Sequence, residues 1–275
     1  MRLLALSIVA TVAAVTGVGQ THNTLSKAER ASGWRLLFDG STFAGWADPL
    51  RKVPPGDSWV IEDGCLKALP GRHILEDLKT TAAFADFELK FDWRVQPGGN
   101  SGVKYRIWGS AFLIYPNERR ESESVIVSDR SKMRPDQYGS EYEVAMEFQL
   151  IDDVGHPDAL KGPDRQTGSL YAFAPRTKLT SKPAGQWNES RLVVRGLQVE
   201  HWVNGEQVLR ASLDDPKVVE KVEARWGRFP ELVKAFHEKV GKPSVIALQN
   251  HGDSVVWFRN LKVRTISDER VQRGR

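Results

Sequence analysis

The chain has a single cysteine, Cys65. No intrachain disulfide can form, so the fold must be held by a packed core, and 275 residues are ample material for one. Runs of one charge are missing too. The 39 Lys and Arg are interleaved with 35 Asp and Glu, which leaves +4 with no stripe that would track a phosphate backbone. A nucleic-acid partner is thereby excluded. There is no Gly-x-Ser-x-Gly elbow for a nucleophilic serine, and Cys65 stands in no thiol-nucleophile motif. The glycine-rich stretch Pro97-Gly98-Gly99-Asn100-Ser101-Gly102 lacks the Lys-Ser/Thr ending of a phosphate loop and leads into a strand rather than a helix, which excludes nucleotide binding. Internal repeats, low-complexity linkers and shifts of composition are absent as well, so one domain is the economical organisation.

The one extended apolar run, Leu3 to Val15, follows Arg2 and ends in the small residues Gly17-Val18-Gly19. That is the pattern of a signal peptide over 1–19, too short to span a bilayer as a stable helix and without a cysteine for lipid attachment. The expectations are a secreted or periplasmic protein with no membrane insertion after cleavage, a flexible segment over 20–32, a domain over 33–266 and a polar tail over 267–275.

What remains is rich in glycine (23) and tryptophan (9), as suits a turn-rich β protein with aromatic surface for packing or for stacking on sugars. Alternation is clearest at Phe87, Leu89, Phe91, Trp93 and Val95, with charged residues between them. Further strands are expected at 59–61 before the turn Asp63-Gly64, and at 102–107, 142–151, 169–174 and 192–195. A hairpin is expected around Asn204-Gly205, whose residues readily take two positive φ angles. Strands at 245–249 and 255–263 flank His251-Gly252-Asp253. Only 216–240 shows helical spacing, predicting one or two short surface helices near 217–240, the second begun by Pro230. The fold class is an all-β, two-sheet β-sandwich.

Three strands carry polar residues at i and i+2 on one face: Lys104 with Arg106, Glu147 with Gln149, and Gln249 with His251. If the strands are neighbours, they build a polar face able to bind sugar. Otherwise each is a solvated outer face. The segment Glu147-x-Gln149-x-x-Asp152 resembles the Glu-x-Asp-x-x-Glu strand of laminarinase- and lichenase-type jelly-roll glycosidases, with Gln in the middle and Asp last. Asp152 either joins Glu147 through a bulge or merely starts the turn 152–155. Beyond it, His156 and Asp158 are, with Asp152, candidate ligands for a divalent metal, while His156 alone is a candidate acid or base.

The ordered motifs Gly33-Trp34-Arg35-Leu36-Leu37-Phe38-Asp39-Gly40, Gly99-Asn100-Ser101-Gly102-Val103-Lys104-Tyr105, 147–153 with His156-Pro157-Asp158-Ala159, Thr167 to Tyr171, Glu200-His201-Trp202-Val203-Asn204-Gly205, Leu248 to Gly252 and Phe258 to Leu261 resemble the 3-keto-disaccharide hydrolase domain family. The resemblance spans nearly all of the chain after 32. It implies a concanavalin A-like jelly roll and cleavage of glycosides whose glucose ring carries a ketone at carbon 3. A sugar 3-oxidoreductase that installs the ketone is then a functional partner. Departures are Asn250, where Asp is more frequent, and a longer polar excursion over 119–134. On this basis Glu147, Asp152, His156 and Lys104 are the expected catalytic residues. Asn100, Ser101, Arg106, Gln149, His201, Gln249 and His251 are the expected substrate contacts. The alternatives are a non-catalytic carbohydrate-binding module and an ordinary two-carboxylate glycoside hydrolase.

Overall fold

The computed structural model describes residues 22–47, 57–117, 125–127, 130–252 and 254–266. The expected signal peptide and polar tail, and part of the 119–134 excursion, lie outside the described residues. In chain order the strands are β1 (Arg35–Leu36), β2 (Trp46–Ala47), β3 (Trp59–Glu62), β4 (Cys65–Ala68), β5 (Ile74–Leu75), β6 (Leu78–Thr80) and β7 (Phe87–Val95). There follow β8 (Asn100–Tyr115), β9 (Val125–Val127), β10 (Tyr138–Ile151), β11 (Asn188–Arg195), β12 (Gln198–Val203), β13 (Glu206–Ser212), β14 (Ala247–Leu248) and β15 (Val256–Thr265). They form two sheets. The first runs β13-β12-β11-β7-β15-β4-β3 with β1 on β15, and the second runs β2-β6-β14-β8-β10-β5 with β9 on β8. Every pairing is antiparallel except β10 with β5.

The period-two pattern of β7 decides which way the first sheet faces. Phe87, Leu89, Phe91, Trp93 and Val95 are at most 2% exposed, and across the interior Phe91 meets Phe148 of β10 edge to face at 5.7 Å. Burying aromatic side chains of this size is the main source of stability in a chain without disulfides. Both Asn204 and Gly205 take positive φ (49° and 86°), which matches the twist a two-residue β-hairpin needs.

Three short helices complete the chain. The segment expected to be flexible holds α1 (Lys27–Ala31), closed by a reciprocal cap between Ser26 and Glu29, and Asn23 is buried with its amide donating to the Gly64 carbonyl. Hydrogen bonds to the domain, rather than apolar pattern, order it. The expected helices are α2 (Pro216–Trp226), capped by Asp215, and α3 (Pro230–Lys239), begun by Pro230. Val218, Val222 and Trp226 of α2 face inward. The expected strand at 169–174 is instead a tight strap. Ala172 takes φ 65°, Leu170 and Ala174 bond to each other, and Tyr171 donates its amide to the Glu147 carbonyl, so the apolar residues dock on β10 without forming a strand.

Candidate functional site

The three strands with paired polar residues are neighbours, in the order β14-β8-β10, and Glu147 stands directly opposite Lys104. Their polar side chains point away from the core, yet Lys104, Glu147, Gln149 and Gln249 are at most 8% exposed. The cover comes from Tyr171 on the strap and Arg225 on α2. Together with Asp77, Asn100, Tyr142, Asn250 and His251 these side chains line a cavity of about 380 Å³, a size suited to a small ligand.

Glu147 is the chemical focus. Burial disfavours its charged form and raises its pKa from 4.5 to about 7, with Asp77 pushing the same way and Lys104, Arg225 and His251 pulling back. Among the described residues no cation lies within ion-pair distance of it. The Gln149 amide presents Nε2 to Glu147 Oε1 at 3.1 Å and to the Ser101 carbonyl at 3.2 Å, which satisfies both of its donors. Gly102, paired with Gln149, is what lets the carboxyl lie flat here. A Cβ on Gly102 would stand 2.3 Å from Glu147 Oε1.

Lys104 is spent differently. Its Nζ is 2.7 Å from Asp77 Oδ2, with both side chains fully buried, and it lies 4.1 Å from the centre of the Tyr142 ring. Burial alone would lower its pKa, but Asp77, Tyr142 and Glu147 outweigh that and raise it. Asp77 also accepts from the Asn250 amide, while Asn250 Nδ2 donates to the carbonyls of Ser58 and Leu69. Asn250 thus ties Asp77 to the segments at Ser58 and Leu69 that flank β3 and β4. Gln249 Oε1 is buried with no donor, one polar atom the protein leaves unsatisfied beside the cavity.

Several expected residues lie elsewhere. Asp152 caps its own turn, accepting from the amides of Gly98 (2.8 Å), Gly155 (3.0 Å) and Val154 (3.1 Å). Burial pushes its pKa up, and the three amides with His156 together outweigh that and hold it below the usual carboxylate range. No bulge returns it to Glu147. Arg106 sits at a β-bulge with φ 50°, so the alternation with Lys104 breaks, and its guanidinium is buried against Asp86 and the carbonyls of Gly196 and Lys242. Ser101 belongs to the inward stripe with Val103 and Tyr105, and its hydroxyl donates to the Gln249 carbonyl. His201 is wholly buried between the sheets, stacked on Phe148 at 4.2 Å and bonded to the Tyr105 hydroxyl at 2.8 Å. Burial lowers its pKa to about 3, so it stays neutral.

His156 stands behind His251, edge to face at 5.8 Å, with Nδ1 accepting from the Asp158 amide at 3.1 Å. Asp158 accepts from Tyr171, Lys161 and Arg165. The trio Asp152, His156 and Asp158 therefore does not fit a metal. Their lone pairs are directed to local donors, and among the described residues no three His, Cys, Asp or Glu side chains are grouped as a metal ion needs.

Of the residues expected at the site, Lys104, Glu147, Gln149, Asn100, Gln249 and His251 come together. Asp77, Tyr142, Tyr171 and Arg225 were not foreseen. Only Asp77 left a trace in the sequence, as one of two acids, Glu76 and Asp77, set between the apolar residues Ile74-Leu75 and Leu78.

Against known proteins, the model of the 3-keto-alpha-glucoside-1,2-lyase-like domain matches residues 33–264. A Bacteroides thetaiotaomicron protein named 3-keto-disaccharide hydrolase is 32% identical over 249 residues, covering 86% of this chain and 79% of that one. A solved structure from Parabacteroides distasonis, provisionally named a glycosyl hydrolase, aligns with TM-score 0.64 and 25% identity over 90% of this chain and 100% of its own. A second structure from that organism, at TM-score 0.54 and 22% identity, covers 85% of this chain and 99% of its own and shares the fold.

Proposed function

The chain belongs to the 3-keto-alpha-glucoside-1,2-lyase-like domain family, and from that premise we propose that it cleaves the glycosidic bond of 3-keto glycosides by removing the proton on carbon 2. The observation that carries this reading is the buried carboxyl of Glu147 opposite Lys104. Asp77 is held by Lys104 and the Asn250 amide, Asp152 by three amides, and Glu141 lies in the half-buried part of the cavity wall, whereas Glu147 is buried and near pKa 7, able to exchange a proton at physiological pH. An ordinary glycosidase needs two free carboxyls facing each other across the bond. A ketone at carbon 3 acidifies the hydrogen on carbon 2, so a single base suffices.

In this reading the Glu147 carboxylate takes the carbon-2 proton and the electron pair moves toward the ketone. The carbon 1 to oxygen bond then breaks. His251, in the cavity wall, gives the leaving oxygen its proton and takes one back from the water that adds at carbon 1, while Glu147 returns a proton to carbon 2. Lys104, fixed by Asp77, supplies a permanent positive charge beside the base. Gln149, Asn100 and Gln249 hold ring hydroxyls. Export to the periplasm or the medium, and functional coupling to a sugar 3-oxidoreductase, are parts of the same proposal.

The test offers the purified protein a 3-keto glucoside and its unoxidised parent, with and without chelator. Turnover of the keto sugar alone is expected. Binding of both without turnover would instead favour a carbohydrate-binding module, and cleavage of the parent an ordinary glycosidase.

A further inference from the structure

We propose that Arg225, carried on α2, is a catalytic residue of this site: it meets the ketone oxygen as negative charge gathers there. The assignment rests on the function proposed above and adds a residue that lies outside the motifs the family resemblance rests on.

Two of the three cations near the site are already committed to other groups. Lys104 is held in place by Asp77 at 2.7 Å and lies over the Tyr142 ring, so its ammonium is committed beside the base. Arg106 is turned away, with its guanidinium bonded to Asp86 and two carbonyls. Arg225 lines the same cavity as Glu147 and has no carboxylate within ion-pair distance among the described residues. Among the described residues its one hydrogen bond is a long one, Nη2 to the Tyr142 hydroxyl at 3.4 Å. A guanidinium has five N–H donors in a planar fork. Most of these are left for a ligand.

The surroundings aim this side chain without using up its donors. Its guanidinium carbon lies 5.4 Å from the Tyr171 ring centre and 5.7 Å from that of Trp226. Ring faces attract the charge but accept no conventional hydrogen bond. Trp226 is the buried anchor of α2, so the residue before it leaves the helix in a fixed direction. Tyr171 is fixed in turn, since its hydroxyl donates to Asp158 at 2.8 Å and its amide to the Glu147 carbonyl. Arg225 is thus tied through one ring to the strand that carries the base.

The chemistry needs such a group. When the bond from carbon 2 to hydrogen breaks, its electron pair forms the double bond between carbons 2 and 3, and the carbonyl pair moves onto oxygen. The proton goes to Glu147. A preoriented pair of N–H donors on that oxygen stabilises the transition state more than the ground state, where the ketone is only weakly basic.

The experiment compares wild type, Arg225→Gln and Arg225→Lys on a 3-keto glucoside, with thermal midpoints recorded for each. Arg225 is exposed at the surface, so its variants should fold. Loss of a donor to a developing oxyanion is expected to lower kcat of Arg225→Gln about 100-fold with KM changed by less than about threefold, and Arg225→Lys should fall between. An unchanged kcat, or a rise in KM alone, would overturn the assignment while leaving the proposed function standing. A wild type that turns over no 3-keto glucoside would overturn both.

Discussion

Two faces of this sandwich carry dense charge beside tryptophan or tyrosine, and only one of them has the makings of a site. On the first sheet, turned away from the core, a cavity of about 550 Å³ is larger than the one around Glu147. Its cations are all committed. Arg259 pairs with Asp92 and lies 3.8 Å from the Trp187 ring centre, Arg191 pairs with Glu88 and covers Trp202, Lys262 pairs with Glu29, Lys90 covers Trp34, and Lys182 donates to a carbonyl. On the second sheet the cavity is smaller and its charges do not cancel locally. It keeps a buried carboxyl without a counter-ion, an arginine without a carboxylate and an amide oxygen without a donor. Size and charge density point to the first sheet. Unsatisfied polar groups, which cost stability unless a ligand answers them, point to the second.

The contrast is broken most severely at Glu147. Glu147→Gln should retain the shape of the site and lose about 10³-fold in kcat, within the range general acid–base catalysis supplies, measured on a 3-keto glucoside. The same change should alter stability with a definite sign. A carboxyl whose folded pKa lies above its unfolded value stabilises fully below about pH 4.5 and progressively less as pH rises toward 7, so above that range the Gln variant should be the more stable. The gain is on the order of 3 kcal/mol at most. Equal denaturation midpoints at pH 8 and pH 4 would remove the buried, raised carboxyl from the account.

Next in size is the pair that fixes the positive charge. Lys104→Met strands Asp77 in the interior, and breaking a buried pair on one side is expected to cost about 3–5 kcal/mol by urea unfolding. Smaller is Gly102→Ala, whose methyl must displace the Glu147 carboxyl. A shift of about 1 Å predicts a loss near 10²-fold in kcat with the fold retained. Smallest are changes on the satisfied face. Arg259→Gln removes a half-buried pairing and a ring contact, for about 1 kcal/mol of stability and no change in turnover. A large loss of activity there would dissolve the distinction between the faces.

The sandwich itself was legible because β7 alternates cleanly and short stretches of β8 and β10 do so beside their bulge, and the hairpin because Asn204-Gly205 permits one kind of turn. The centre of the site could be read from the same alternation, which placed Lys104, Glu147 and Gln149 on one face. Legibility failed where alternation did. The bulge at Arg106 is invisible in a period-two pattern, and His201 sits on an inward stripe whose polarity is answered by Tyr105, far away in the sequence. Tyr171 and Arg225 reach the cavity from a strap and a helix, elements with no periodic relation to the strands they cover. Asp152 carried two readings that spacing alone could not separate, and the amides of Gly98, Val154 and Gly155 decide for the turn.

The central claim is that the carboxyl left unpaired on the second sheet removes a carbon-bound proton. A 3-keto glucoside carrying deuterium at carbon 2 tests it most directly, with the product examined by mass spectrometry and NMR. The account predicts that wild type loses the deuterium to solvent and that Glu147→Gln does so far more slowly. A cleaved product that retains its deuterium at carbon 2 and forms as fast as from the unlabelled sugar, with no primary isotope effect, would contradict it.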